Sequence, residues 1–271
     1  MALTRGAGPL GRRPAGRSNF ELVGPAHQLY LEALGPRVRV VVAGEVIADT
    51  IAAQLLHETG LGPVIYLPAA DVRAGVLEPS GTTTHCPFKG DATYHHLQVG
   101  GERRSDAVWS YPDPIEGCPP LAGLVAFDPH GVDAVYLEEE RVRGHVRDPY
   151  HRVDAVPTSR YVTVRVDGHT IAESHRAVLL FETGLPVRTY LPAEDVDAAV
   201  LEHSDTVTTC PYKGATDRYH SVRVGERRLA DAVWVYASPD PAVAAIAGLL
   251  AFDDAQVEVV HEHEPFAAPR A

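Results

Sequence analysis

Residues 57–90 read HETGLGPVIYLPAADVRAGVLEPSGTTTHCPFKG, and residues 181–214 read FETGLPVRTYLPAEDVDAAVLEHSDTVTTCPYKG. Set one above the other without a gap, they agree at 21 of 34 positions. Working outward, the shift of 124 becomes 125 after one extra residue past Gly214, so Tyr94 and His95 meet Tyr219 and His220. Trp109 and Tyr111 then meet Trp234 and Tyr236, and AGLVAFD at 122–128 meets AGLLAFD at 247–253. Upstream, Ala43-Gly44 parallels Asp167-Gly168, and His27 has a counterpart in His151. Repetition at this period makes two units of about 120 residues, each an ordinary domain size. The expected organisation is a flexible tail over residues 1–20, a first repeat over 21–147 and a second over 148–271, joined near Arg147-Asp148-Pro149.

Composition narrows the class. With 22 prolines and 23 glycines in 271 residues, turns and short strands are favoured over long helices. The 36 acidic against 24 basic residues give a formal charge of −12, which opposes binding to a phosphate backbone or an anionic membrane surface. Nucleic acid and membrane are therefore not expected partners. Three cysteines are too few and too scattered for a disulfide framework, which suits a reducing, cytoplasmic location. The arginines near the N-terminus are followed by no apolar signal-peptide core, and no run reaches the roughly 18 apolar residues of a membrane span.

Within a unit, Val38 to Val42 and Val46 to Ala48 flank a turn at Gly44 and read as a hairpin. Thr50 to His57 reads as a short helix stopped by Gly60, although so short a run fits a strand as well, and Pro68 to Leu77 reads as a brief helix opened by its proline. Strands are expected at Val64 to Leu67, Thr82 to Phe88, Tyr94 to Val99, Ala107 to Tyr111, Leu124 to Phe127 and Val132 to Leu137. Lys89-Gly90-Asp91 would turn the central hairpin and set Cys86 opposite Tyr94, with His95 beside it. The fold class is mostly β: two tandem copies of a small barrel-like or tented β-sheet domain, each with one or two short helices.

The motifs GEVIADT, HETG, YLPAADV, LEPSGTTTHCPFKG, YHH, AVWSYPDP and AGLVAFD, with their second-copy counterparts, resemble the family called domain of unknown function 427, which also carries a nucleotidyltransferase label. The resemblance runs from about Gly24 to Glu264, and tandem copies of this type are familiar in actinobacteria. It implies no defined activity. Nucleotidyl transfer needs paired carboxylates that hold magnesium behind a Gly-Ser pair, and the one Asp-x-Asp, Asp195 and Asp197, lacks that pair and has Arg73 in place of its second carboxylate in the first copy.

The most chemical motif is Cys-Pro-aromatic-Lys-Gly, with Cys86 and Lys89 in one unit and Cys210 and Lys213 in the other. A lysine near a thiol favours the nucleophilic thiolate, which nominates these four as catalytic residues; the alternative is a small buried cysteine beside a solvated lysine. Glu58 and Glu182 end apolar runs and offer an acid or base, or simply cap a turn. Tyr66, Tyr94, His95, Trp109 and Tyr111, with Tyr190, Tyr219, His220, Trp234 and Tyr236, compose either a ligand-binding aromatic wall or core. A zinc site around Cys86 with His85, His95 and His96 is disfavoured, since the second unit has Thr209 and Ser221 at two of those positions; the terminal His261-Glu262-His263-Glu264 reads as a solvated strand end. No metal or cofactor is implied, for no Gly-x-Gly-x-x-Gly or phosphate-binding loop occurs. Three functions stay open: a small-molecule pocket in each repeat around the Cys-Lys hairpin, a covalent enzyme using Cys86 and Cys210, and an interaction module in which the repeats pack as an internal pseudo-dimer.

Overall fold

The computed structural model describes residues 26–262; the tail expected over 1–20 and His263-Glu264 lie outside the described residues. The chain divides into two compact units between Tyr150 and His151. In the first, the strands are β1 (Leu29–Ala33), β2 (Val38–Val42), β3 (Glu45–Thr50), β4 (Gln54–Glu58), β5 (Val64–Pro68), β6 (Leu77–Cys86), β7 (Gly90–Val99), β8 (Glu102–Ser110), β9 (Leu124–Phe127), β10 (Ala134–Leu137) and β11 (Glu140–Arg141). They form a seven-stranded sheet in the order β1-β4-β5-β9-β8-β7-β6 and a four-stranded sheet in the order β11-β10-β2-β3. The large sheet is open, ending on β1 and β6, so it is not closed into a barrel.

The second unit repeats this plan with β12 (Val153–Pro157), β13 (Val162–Val166), β14 (His169–Ser174), β15 (Val178–Glu182), β16 (Arg188–Leu191), β17 (Leu201–Ser204), β18 (Thr209–Cys210), β19 (Gly214–Ala215), β20 (Arg218–Val224), β21 (Arg227–Val235), β22 (Leu250–Phe252) and β23 (Glu258–His261). Its large sheet runs β12-β15-β16-β22-β21-β20-β17, beside a three-stranded sheet β14-β13-β23 and the short pair β18-β19.

Alternation along the strands feeds two apolar layers. In the first unit Val38, Val40, Ile47, Leu67, Leu97, Val108 and Val125 fill the layer shared with the small sheet. On the opposite face of the large sheet, Leu56, Tyr66, Ala92 and Ala126 fill a second layer, against which Cys86, Tyr94, Trp109 and Cys118 pack. A strand buried on both faces reads as a continuous apolar run, which is why Val64 to Leu67 and Leu124 to Phe127 carry almost no polar residue.

One open sequence reading is decided by the structure and two expectations need correction. Gln54–Glu58 is a strand, β4, pinned between β1 and β5, so pairing on both sides decides a run whose periodicity leaves helix and strand equal. The helix expected from Pro68 to Leu77 shrinks to one 3-10 turn, Ala69–Asp71, because the Val72 backbone returns to extended geometry and bridges Ala48. The hairpin turn falls on Pro87-Phe88-Lys89, so Cys86 faces Gly90 and Tyr94 faces Trp109 on β8. Among the described residues no helix is long and apolar enough to cross a membrane.

Candidate functional site

The Glu-Thr-Gly motif closes the end of β4. The Leu61 N–H donates to the Glu58 carbonyl at 3.0 Å, and Gly60 sits at φ 84°, a left-handed position where glycine carries no steric cost. Thr59 clamps the incoming chain: its hydroxyl accepts from Gln28 N at 2.9 Å and its own N–H donates to Gln28 O at 3.1 Å. That clamp lays His27 over the end of β4. His27 Nε2 lies 2.9 Å from Glu58 Oε1, and since an ionised carboxylate only accepts, the imidazole N–H is the donor.

The other oxygen, Glu58 Oε2, receives the Lys89 ammonium. Lys89 reaches it because the Cys-Pro-Phe-Lys turn folds back, with Lys89 N donating to Cys86 O at 3.3 Å and Ile115 N donating to Lys89 O at 3.2 Å. The Lys89 and Glu58 side chains are each only 8% exposed, so the lysine is not a solvated turn residue. Its ammonium also lies 5.7 Å from the centre of the Tyr111 ring, and the Phe88 ring stacks on His27 at 3.7 Å.

The second repeat rebuilds the same arrangement. His151 Nε2 is 3.0 Å from Glu182 Oε1, Lys213 Nζ is 2.5 Å from Glu182 Oε2, and Tyr212 lies 4.0 Å from the His151 ring. Thr183 clamps Arg152 as Thr59 clamps Gln28. Burial alone would push the Glu182 carboxyl up, but the hydrogen bonds from His151 and Lys213 outweigh it and hold it at about 2.

Around each triad stand the buried tyrosines Tyr66 and Tyr111, or Tyr190 and Tyr236, each set beside a half-buried tryptophan. The Trp109 indole N–H donates to Tyr66 Oη at 3.2 Å, and Trp234 holds the corresponding position beside Tyr190 in the second repeat. Burial drives the Tyr66, Tyr111, Tyr190 and Tyr236 hydroxyls well above their ordinary range, so all four are neutral donors at physiological pH. Cys86 packs into this layer, as does Cys118, whose thiol is pushed up by burial despite Lys89 nearby. Cys118 falls at the position of Val243 in the other repeat, which marks it as a packing residue.

Other nominated residues are placed elsewhere. Tyr94 and Tyr219 share the aromatic face and bond Thr84 and Thr208 at 3.1 and 3.0 Å. His95, next along β7, alternates to the opposite face, away from Tyr94 and Cys86, and its Nδ1 is buried without a hydrogen-bond partner. Burial pushes the His220 imidazole down. His85 lies 2.6 Å from Asp91 and His96 accepts from Asp106 N at 3.0 Å, so each is engaged separately. Asp195 accepts from Ser174 at 2.6 Å and from Arg176 at 2.7 Å, while Asp197 accepts from Ala199 N at 2.9 Å; both carboxylates are engaged in local structure.

The sequence thus singles out Glu58 with Lys89 and Glu182 with Lys213 without joining them, and it notes His27 and His151 only as counterparts. The spacing contains the missing signal: 31 residues separate His27 from Glu58 and Glu58 from Lys89, and the same two intervals recur from His151 to Lys213. No curated protein matches the chain. The family described as a domain of unknown function (DUF427) matches residues 30–138 and again 154–263, and the chain belongs to it as a tandem pair of its domains.

Proposed function

We propose that each repeat holds a small-molecule site at its His-Glu-Lys triad, with the Cys-Pro-aromatic-Lys-Gly hairpin as one wall and the imidazole as its acid-base group. One observation carries this reading: the buried triad is kept whole in both repeats. Neighbouring positions drifted, His57 against Phe181 and Cys118 against Val243. A buried ion cluster adds little stability over apolar packing of the same volume, so its retention favours a role beyond packing. In this reading the glutamate accepts from the imidazole Nε2–H and fixes the orientation of the ring. Lysine supplies the counter-charge to the glutamate, and the neutral tyrosines donate to ligand oxygen atoms.

Cys86 and Cys210 remain the residues that would make the site covalent, although the lysine of each motif pairs with a carboxylate and not with the thiol. The test is a metabolite panel read by melting temperature, followed by affinity measurements on Lys89→Met and Lys213→Met and by thiol alkylation. Ligands that stabilise the wild type are expected to weaken at least about tenfold in the variants. Binding indifferent to both lysines would overturn the reading. A fast-alkylating Cys86, protected by ligand, would convert it to the covalent form.

A further inference from the structure

The two tryptophans stand in corresponding places, yet their surroundings differ. In the second repeat Arg188, at the start of β16, lays its guanidinium over the Trp234 ring, 5.0 Å from the centroid. Its Nη1 donates to the main-chain oxygen of Phe252 at 2.6 Å and lies 3.2 Å from the Asp254 carboxylate. The corresponding residues of the first repeat are Val64, Trp109, Phe127 and Pro129. Valine is too short to cover an indole, and a cleft of about 320 Å³ opens there, lined by Val64, Trp109, Phe127 and Pro129 together with Val135 and Arg141. The indole that a guanidinium covers in one repeat thus borders an open cleft in the other, with Phe127 lining it at the position whose main-chain oxygen Arg188 engages.

We propose that this cleft binds a small molecule bearing a planar amidinium or guanidinium head on an apolar body. The head stacks on Trp109 and donates to the Phe127 carbonyl oxygen, the role Arg188 fills within its own repeat, while the body packs against Val64 and Val135. A flat, weakly hydrated cation suits an indole face better than a compact ammonium does. The cleft does not repel a cation: its two formally charged residues, Asp133 and Arg141, offset each other, and the remaining ionisable groups are His130 and His145. Arg141 Nη2 is already engaged, donating to Asp133 O at 2.7 Å, and Arg104 holds the Asp133 carboxylate at 2.8 Å. The size suits a single aromatic ring with its head group. No triad residue lines this cleft, although Trp109 borders both, and the proposal does not depend on the function proposed for the triad.

The chain contains only two tryptophans, so Trp234→Phe leaves Trp109 as the sole indole reporter. Benzamidine titrated into that full-length variant is expected to change Trp109 fluorescence saturably. Adding Val64→Arg, which recreates the second repeat's arrangement, should weaken binding at least about tenfold, and Val64→Phe should do the same by filling the space. Benzyl alcohol and benzoate, matched in size but neutral or anionic, should each bind at least about tenfold more weakly than benzamidine. The proposal is overturned by a fluorescence response that never saturates, by unchanged affinity in the filled variants, or by equal binding of the alcohol or the benzoate. Calorimetry on the unmodified chain and on Val64→Phe makes the same comparison without the tryptophan substitution.

Discussion

At the scale of single residues, the triad behaves as a unit, and its members respond differently when removed. Glu58→Gln leaves the Lys89 ammonium buried without a counter-charge, a loss of about 3 kcal/mol or more. In the double variant Glu58→Leu with Lys89→Met no unpaired charge remains, so most of that loss should be recovered; urea unfolding of both variants checks the order. The pH response follows from Glu182. Its folded carboxyl is held at about 2 against an ordinary value of 4.5, so the unfolded chain binds the proton more readily. The stabilisation is complete above the unfolded value and fades as pH falls from about 4.5 toward 2. Denaturant midpoints across that range should fall more steeply for the wild type than for Glu182→Gln.

Elements are held by small devices that occur once per repeat. Gly90, at φ 100°, follows the lysine turn, and a Cβ there would meet Ile115 Cγ2 at 3.2 Å and the Asp113 carbonyl at 3.3 Å. Gly90→Ala should therefore cost about 1–2 kcal/mol from left-handed strain alone, and more where the Ile115 loop cannot yield. At Gly214 the nearest atom would lie at 3.6 Å, so Gly214→Ala should cost less, a difference that parallel thermal melts would register. Asp106 is a left-handed residue at φ 50°, and its carboxylate accepts the hydroxyls of Ser80 and Thr82; Asp231, at 51°, does the same for Ser204 and Thr206. Asn tolerates that backbone and keeps one side-chain acceptor, so Asp106→Asn should destabilise less than Asp106→Ala in urea. The Ser-x-Thr pairs are visible in both repeats, but their partner lies 24 or more residues away, out of reach of a local reading.

For the whole molecule, the second unit contains both of its own apolar layers, one around Val164 and Val233 and another around Leu180 and Tyr190. Residues 148–271 expressed alone are expected to give a dispersed amide spectrum; collapsed signals would refute independent folding. The boundary carries a refinement. Tyr150 Oη donates to Glu32 at 2.9 Å and its ring meets the edge of buried His57 at 5.5 Å, so a first-unit fragment ending at 150 should melt above one ending at 147.

The duplication, the mostly β class and the identity of the chemical motifs were determined by the sequence alone, because repetition and alternation are local patterns written along the chain. It also supplied Glu58, Lys89 and their counterparts. It did not supply the helix-or-strand decision at 54–58, which rests on strands supplied from elsewhere in the chain. The hairpin register was equally out of reach, since a shift of the turn exchanges every facing pair. The joining of His27, Glu58 and Lys89 was decided only in the tertiary structure. Three groups spaced 31 residues apart meet when the lead-in segment, β4 and the Cys-Lys hairpin converge on one buried carboxylate, and that convergence is a property of the folded sheet.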